Sequence, residues 1–360
     1  MGYRKRSRDA VSLDFPPFRP HVLVRGGHLQ TIVGSYLPHG VSLDATLHRV
    51  PLADGDSIAL HEDAPCQLAE PGEGRSQHVA LLLHGLGGSN QSSYMLRVAS
   101  KLKARGVHVF RMDLRGCGAG IGLARHPLHA GRSEDAAAAI NFIHRLHPQA
   151  HVHLIGFSMG ANIALKCAGE LGKGAPPYLA SVMAICPPID LALCTRNIQT
   201  GLNRLYDRRF VKGLVRHVEQ RALVAPDAHQ RPLVPLPRRL MDFDSLFTAP
   251  LAGFADVHDY YARASSSPWL AKIAVPTLIL AAASDPIVPV ACLEQANYSA
   301  TTQLVITPCG GHLGFIAAKS DDPDGRWVDW RIVDWVNRSG ARAVQEPATH
   351  QFAPRPSIGP

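Results

Sequence analysis

Long apolar runs are missing from these 360 residues. The longest stretches, such as Val275 to Ala283, are interrupted by Pro276 and Thr277 and fall well short of the roughly 20 residues that a membrane-spanning helix needs, so no transmembrane segment is expected. Behind the basic N-terminus, Met1 to Ala10, there is no apolar segment of a secretory signal, and Arg6 stands where a myristoylation signal requires Ser or Thr. The seven Cys show no regular spacing, which speaks against a disulfide framework and for reduced, mostly buried thiols in a cytoplasmic setting. No glycine-rich run ends in Gly-Lys-Ser/Thr, none carries the dinucleotide fingerprint, and His and Cys are not grouped at zinc spacings. Neither a cofactor nor a metal is expected.

What is present is the composition of a soluble globular protein, 46% hydrophobic and 18% charged, long enough to bury a full core. The net charge of +8 is concentrated in two places. Residues 1–25 carry six Lys/Arg against two acids, and residues 201–240 carry nine against three. Such segments attract anionic headgroups or substrates, while their commonest role is a solvated helix face and a loose tail. A peripheral membrane contact through the basic arm or the 201–240 region is compatible with this. Nucleic-acid binding would rest on charge alone and is not expected.

The strongest local signal is His151 to Gly160, an apolar run ending in Gly156-Phe-Ser-Met-Gly160. In Gly-x-Ser-x-Gly the glycines flank a turn so tight that the serine is held exposed at the top of a sheet. In a chain with 31 Gly the pattern alone is weak, so its context must carry it. Val152, Leu154 and Ile155 suit a buried strand, and Ala161 to Ala168 is rich in helix formers, giving the strand, turn and helix that the motif requires.

Around this unit the chain reads as α/β. Strands at Thr46 to Val50 and Ser57 to His61, joined by Asp54-Gly55, form an antiparallel start. A linker from Pro65 to Gln77 precedes the continuous apolar strand Val79 to Leu83. Helix Gln91 to Arg105, strand Val107 to Met112, helix Ser133 to Leu146 with Ser133 and Asp135 as caps, and strand Ser181 to Cys186 follow. From Asp190 to Ser267 the alternation gives way to helical character, broken by Pro226 to Pro237, which reads as an insertion between two core strands. Strand Val275 to Leu280, a helix at Pro289 to Tyr298, strand Gln303 to Thr307 and a helix from Arg326 to Arg338, with Trp327, Trp330 and Trp335 against the sheet, complete the core. The expected organisation is a basic arm (1–20), a core in two parts (21–189 and 268–340), a helical cap or lid (190–267) and a disordered tail (341–360).

A serine hydroxyl needs a base to accept its proton and an acid to orient that base. Ser158 is the candidate nucleophile. His312, in Cys309-Gly-Gly-His-Leu-Gly314 after the last strand, is the candidate base, and Asp285, in Ser284-Asp-Pro286 after the preceding strand, is the candidate acid, with Asp190 as the fallback. An oxyanion needs two backbone N–H donors, expected from Met159 and from Leu86 in His84-Gly-Leu-Gly-Gly88. His84 reads as structural, Asp113 and Arg115 as fixing a loop, and Cys117 and Cys309 as inert thiols near the pocket.

Taken together, Gly27-His-Leu-Gln-Thr31, His84 to Ser89, Arg115-Gly-Cys-Gly118, His129-Ala-Gly131 with Ser133-Glu-Asp135, Gly156 to Gly160, Phe254-Ala-Asp256 with Tyr260-Tyr261, and Gly311-His-Leu-Gly-Phe315 resemble the YheT-like α/β-hydrolases, a branch that includes the eukaryotic abhydrolase-domain lipases. The resemblance spans roughly residues 15–338. It implies an α/β-hydrolase fold with a mostly parallel eight-stranded sheet, helices on both faces and a helical cap. It further implies carboxylesterase or acylglycerol-lipase activity on a small ester or lipid, with Ser158, Asp285 and His312 as the triad. Gly26 to Ile32, which has no reading from physics alone, becomes a family N-terminal motif. Acyl transfer by the same triad and a non-catalytic binding protein on the same fold are the alternatives. Oligomeric state is left open.

Overall fold

The computed structural model describes residues 4–5, 15–37, 40–65, 78–225 and 234–343. Most of the expected arm, nearly all of the 65–77 linker, residues 226–233 of the proline-bearing stretch and the tail beyond 343 lie outside the described residues.

One sheet contains β1 (Arg4–Lys5), β2 (Thr46–Pro51), β3 (Ser57–Asp63), β4 (His78–Leu83), β5 (His108–Asp113), β6 (His151–Phe157), β7 (Leu179–Ile185), β8 (Thr277–Ala282) and β9 (Thr302–Thr307). Their spatial order is β1-β9-β8-β7-β6-β4-β5-β3-β2. The strands from β2 onward are the expected eight: β4 to β9 pair in parallel, and β2 and β3 are antiparallel. Within the expected basic arm, Arg4 and Lys5 add an antiparallel edge to β9.

The helices are α1 (Gly27–Tyr36), α2 (Ser93–Lys103), α3 (Ser133–Leu146), α4 (Met159–Leu171), α5 (Leu191–Ile198), α6 (Arg204–Val224), α7 (Leu240–Phe243), α8 (Ala249–Leu251), α9 (Val257–Ala264), α10 (Val290–Glu294) and α11 (Trp327–Ala343). Alternation along β4 shows how the sheet separates two cores. Val79, Leu81 and Leu83 pack with α3 and α4, whereas Ala80 and Leu82 pack with α2 and α11. All five are fully buried, which is why this strand is apolar at every position. Trp327, Trp330 and Trp335 are buried in the second core, as expected.

Two local expectations fail. Ser133 and Asp135 do not cap α3, whose N-cap is Arg132 without a side-chain bond. Asp135 instead accepts from Nε and Nη2 of the buried Arg115, and an ion pair of that kind outcompetes a capping bond. The helix expected to reach Tyr298 ends at Glu294, and the Tyr298 hydroxyl turns back to donate to the Leu293 carbonyl at 2.6 Å.

Chain order reverses at β4. The chain leaves β4 for β5 on one side and returns to β6 on the other, so a crevice opens beyond their carboxyl ends, where open α/β sheets bind ligands. Helices α5 to α9, all between β7 and β8, lie over this crevice.

Candidate active site

Ser158 follows β6 immediately and is the N-cap of α4. Its backbone is at φ 53° and ψ −119°, a region that side chains disfavour. The flanking glycines permit the turn. A Cβ on Gly156 would lie 2.3 Å from the Gly160 carbonyl oxygen, and one on Gly160 would lie 2.4 Å from that of Leu83. Strand, turn and helix therefore close on one another only with hydrogen at both positions.

The loops after β8 and β9 deliver the other two candidate residues. Ser158 Oγ is 2.7 Å from His312 Nε2, and His312 Nδ1 is 2.9 Å from Asp285 Oδ2. This pattern sets the imidazole tautomer: Nδ1–H donates to the carboxylate, leaving the Nε2 lone pair to accept the serine hydroxyl. The second Asp285 oxygen accepts from the N–H groups of Ile287 at 2.8 Å and Val288 at 3.0 Å. Both Asp285 and His312 are buried. Asp190, the fallback acid, is not part of this chain of bonds; it caps α5 by accepting from the Leu193 N–H.

The two candidate oxyanion donors flank the serine. Met159 opens α4, where the first N–H groups of a helix have no intrahelical partner. Leu86 follows Gly85, at which a Cβ would stand 3.1 Å from that of Ser158. His84 is wholly buried and structural: Nδ1–H donates to the Gly85 carbonyl at 2.8 Å, and Nε2 accepts from the Leu114 N–H at 3.1 Å. Burial lowers its pKa, keeping it neutral. Asp113 and Arg115 fix the adjoining loops as expected. The Asp113 carboxylate accepts from the backbone and side chain of Asn90 and from the Ala119 N–H. Arg115 joins Asp54, Asp56 and Asp135. The Cys117 thiol is buried and its pKa is pushed up to about 12, so it is inert. The thiol nearest the acid is Cys186, whose pKa burial raises well above its ordinary value.

The sequence did not reveal what α1 does. The Thr31 hydroxyl accepts from the His312 N–H at 2.8 Å and donates to the Gly27 carbonyl at 2.7 Å. Gln30 binds the Ile316 N–H and carbonyl through its two amide groups. A Cβ on Gly27 would be 1.7 Å from the Ser284 carbonyl oxygen, and one on Gly314 2.0 Å from that of Gln30. The segment is thus a cradle for both the acid and histidine loops. Asn162 was also missed: it donates to the carbonyls of Ala130 and Ala264 and accepts from the Ser266 N–H, tying α4 to the covering helices.

Two spaces meet at Ser158. One is an apolar cavity of about 110 Å³ beneath α5 to α9, walled by residues including Leu128, Leu191, Phe210, Phe247 and Tyr260. The other is an open groove of about 850 Å³ between α1, α6 and the His84 to Gly88 loop, bordered by Arg208, Arg209, Lys212 and Arg216. Ser158, Leu86, Phe210 and Ile287 border both. The arrangement can activate a hydroxyl and hold a substrate with an apolar arm on one side and a polar, anionic arm on the other.

Among known proteins, YheT of Escherichia coli (strain K12), which carries the name of an esterase, is 29% identical over 318 residues, covering 86% of this chain and 89% of its own. Phospholipase ABHD3 of Homo sapiens is 24% identical, covering 92% of this chain and 80% of its own. Among solved structures, 2,6-dihydroxy-pseudo-oxynicotine hydrolase superposes with a TM-score of 0.55 at 18% identity, covering 88% of this chain and 72% of that one. The Pyrococcus furiosus esterase Pf2001 gives 0.52 at 15%, covering 91% and 97%. Both share the fold. No helix among the described residues is long and apolar enough to cross a membrane. The profile of the alpha/beta hydrolase fold matches residues 80–318, and the chain belongs to that family, with YheT and the abhydrolase-domain proteins among its relatives.

Proposed function

We propose that the protein hydrolyses carboxylic esters through an acyl-enzyme on Ser158. The observation that carries this reading is the continuous bond chain from Ser158 Oγ through His312 to Asp285. Ser158 Oγ attacks the ester carbonyl carbon while its proton passes to His312 Nε2. The carbonyl oxygen, now an anion, is received by the N–H groups of Met159 and Leu86. Collapse expels the alcohol, which takes the proton from His312, and water then attacks the acyl-enzyme with His312 again as base. Asp285 holds the ring in the required tautomer and stabilises its cation.

The acyl chain occupies the apolar cavity, and the alcohol side lies in the basic groove, which favours substrates with an anionic group there. The names of the relatives, an esterase and a phospholipase, agree with ester chemistry. The helices from α5 to α9 act as the cap that keeps water from the acyl arm. Ser158→Ala should abolish hydrolysis of p-nitrophenyl esters and covalent labelling by a fluorophosphonate, with the fold retained by circular dichroism. Labelling at the wild-type rate would sink the assignment.

A further inference from the structure

Parallel strand β5 ends at Asp113, beside the candidate active site, and begins at His108, at the opposite end of the sheet. Five residue-to-residue steps of extended chain separate the two ends by roughly 17 Å. At the His108 end, side chains from four separate elements converge: His48 on β2, Glu62 on β3, His108 on β5 and His147 directly after α3. His147 Nε2 is 3.0 Å and His108 Nδ1 is 3.5 Å from the same oxygen, Glu62 Oε1. The three donor atoms lie within 4.8 Å of one another. His48 Nε2 occupies the other carboxylate oxygen at 2.8 Å.

We propose that Glu62, His108 and His147 bind a divalent transition-metal ion, zinc by their donor set, with His48 orienting the carboxylate and water completing the coordination. Two imidazoles and a carboxylate oxygen suit zinc, whose bonds to such donors are about 2.0–2.2 Å long. The edges of a tetrahedron with those bonds measure about 3.3–3.5 Å. The two edges to Glu62 Oε1, 3.0 and 3.5 Å, straddle that range, and the third, between the two imidazole nitrogens, is within 4.8 Å, so side-chain shifts of at most about 1.5 Å bring the three donors to bonding distance.

A hydrogen-bond network alone accounts for the cluster less well. It satisfies His48 and His147 but leaves His108 Nδ1 buried without a hydrogen-bond partner among the described residues, a state that folded proteins avoid. A metal bond at that nitrogen removes the deficit. The rings of Phe110 and Phe142 pack beside His48, and Phe110 beside His147, supplying the apolar surround typical of such sites. His147 and Glu62 remain 16% and 14% exposed, which gives an ion access. The site fastens the antiparallel edge formed by β2, β3 and β5 to the end of α3. Its members are spread over residues 48 to 147, so no short spacing motif reveals it.

The test uses full-length, tag-free protein stripped with a chelator and titrated with zinc sulfate or cobalt chloride. The wild type should bind one equivalent per chain, show visible ligand-field bands with cobalt and melt at higher temperature with zinc. His108→Ala and Glu62→Gln should bind at least hundredfold more weakly and lose the bands and the thermal shift. The more exposed His147→Gln keeps the test valid where a buried variant does not fold. Ester hydrolysis should be the same in the stripped and loaded wild type. Absence of stoichiometric binding by the wild type, or equal binding by the folded variants, overturns the site.

Discussion

At Ser158 the chain accepts a backbone conformation that costs on the order of 1–3 kcal/mol in a non-glycine residue, and the surrounding contacts enforce it. The same economy of placement applies to its partners, each held by bonds to backbone groups. Asp285→Asn should keep the fold but present an amide N–H to Nδ1, favouring the wrong tautomer and lowering kcat by about 10⁴-fold, as measured in comparable triads. An unchanged kcat would move the orienting role elsewhere. On the proposed mechanism Thr31 is a positioning residue, acting through the His312 backbone. Thr31→Val leaves the His312 N–H unpaired, a loss of about 1–3 kcal/mol, so kcat should fall roughly tenfold or more at near-constant KM. Thr31→Ser should restore it. A rise in KM without a change in kcat would contradict positioning.

Among the elements, α1 and α6 face each other across the groove: Tyr206 meets the His28 ring, and Arg209 lies 5.1 Å from the Tyr36 ring while hydrogen-bonding its hydroxyl. Residues 208, 209, 212 and 216 recur at helical spacing, so their cations share one side of α6. Lys212→Glu with Arg216→Glu should raise KM at least tenfold for an ester whose alcohol side is anionic, since a charge-assisted bond is worth about 1.5–3 kcal/mol. KM for a neutral p-nitrophenyl ester should stay near the wild-type value, and steady-state kinetics on the two substrates separates the cases. Equal effects on both would deny the groove its selectivity. This level also shows what the sequence could disclose. The buried strands were legible because each is a continuous apolar run, and Ser158, Asp285 and His312 because each follows a core strand in fixed order. The cradle was not legible, because Thr31 and its partner His312 are 281 residues apart and nothing local in Gly27 to Thr31 signals a destination. The failed caps on α3 follow the same rule: Ser133 and Asp135 read as local, but long-range partners claim them.

At the scale of the whole molecule, the helices between β7 and β8 are clamped to the core by buried polar residues, and one of them makes stability depend on pH. Asp244 opens the π-helical turn Asp244–Thr248 in the wall of the apolar cavity, accepting from the hydroxyls of Thr248 at 2.7 Å and Tyr261 at 2.8 Å. Burial outweighs these bonds and raises its pKa to about 7, from an ordinary value near 3.8. Between those values the folded state holds a proton that the unfolded chain has released, so this residue's contribution to stability is complete below pH 4 and is lost as pH rises through about 7. The loss is on the order of 4 kcal/mol, at about 1.4 kcal/mol per pKa unit. Other groups pull the other way: the buried His153, with its pKa lowered to about 3, favours the folded state as pH rises. The total pH profile therefore cannot isolate Asp244, but a difference can. Asp244→Asn keeps an acceptor and cannot ionise, so its melting temperature relative to wild type should climb steadily from about pH 4 to about pH 7 and then level. Parallel melting curves for the two proteins across that range would show that Asp244 is ionised, or exposed, throughout.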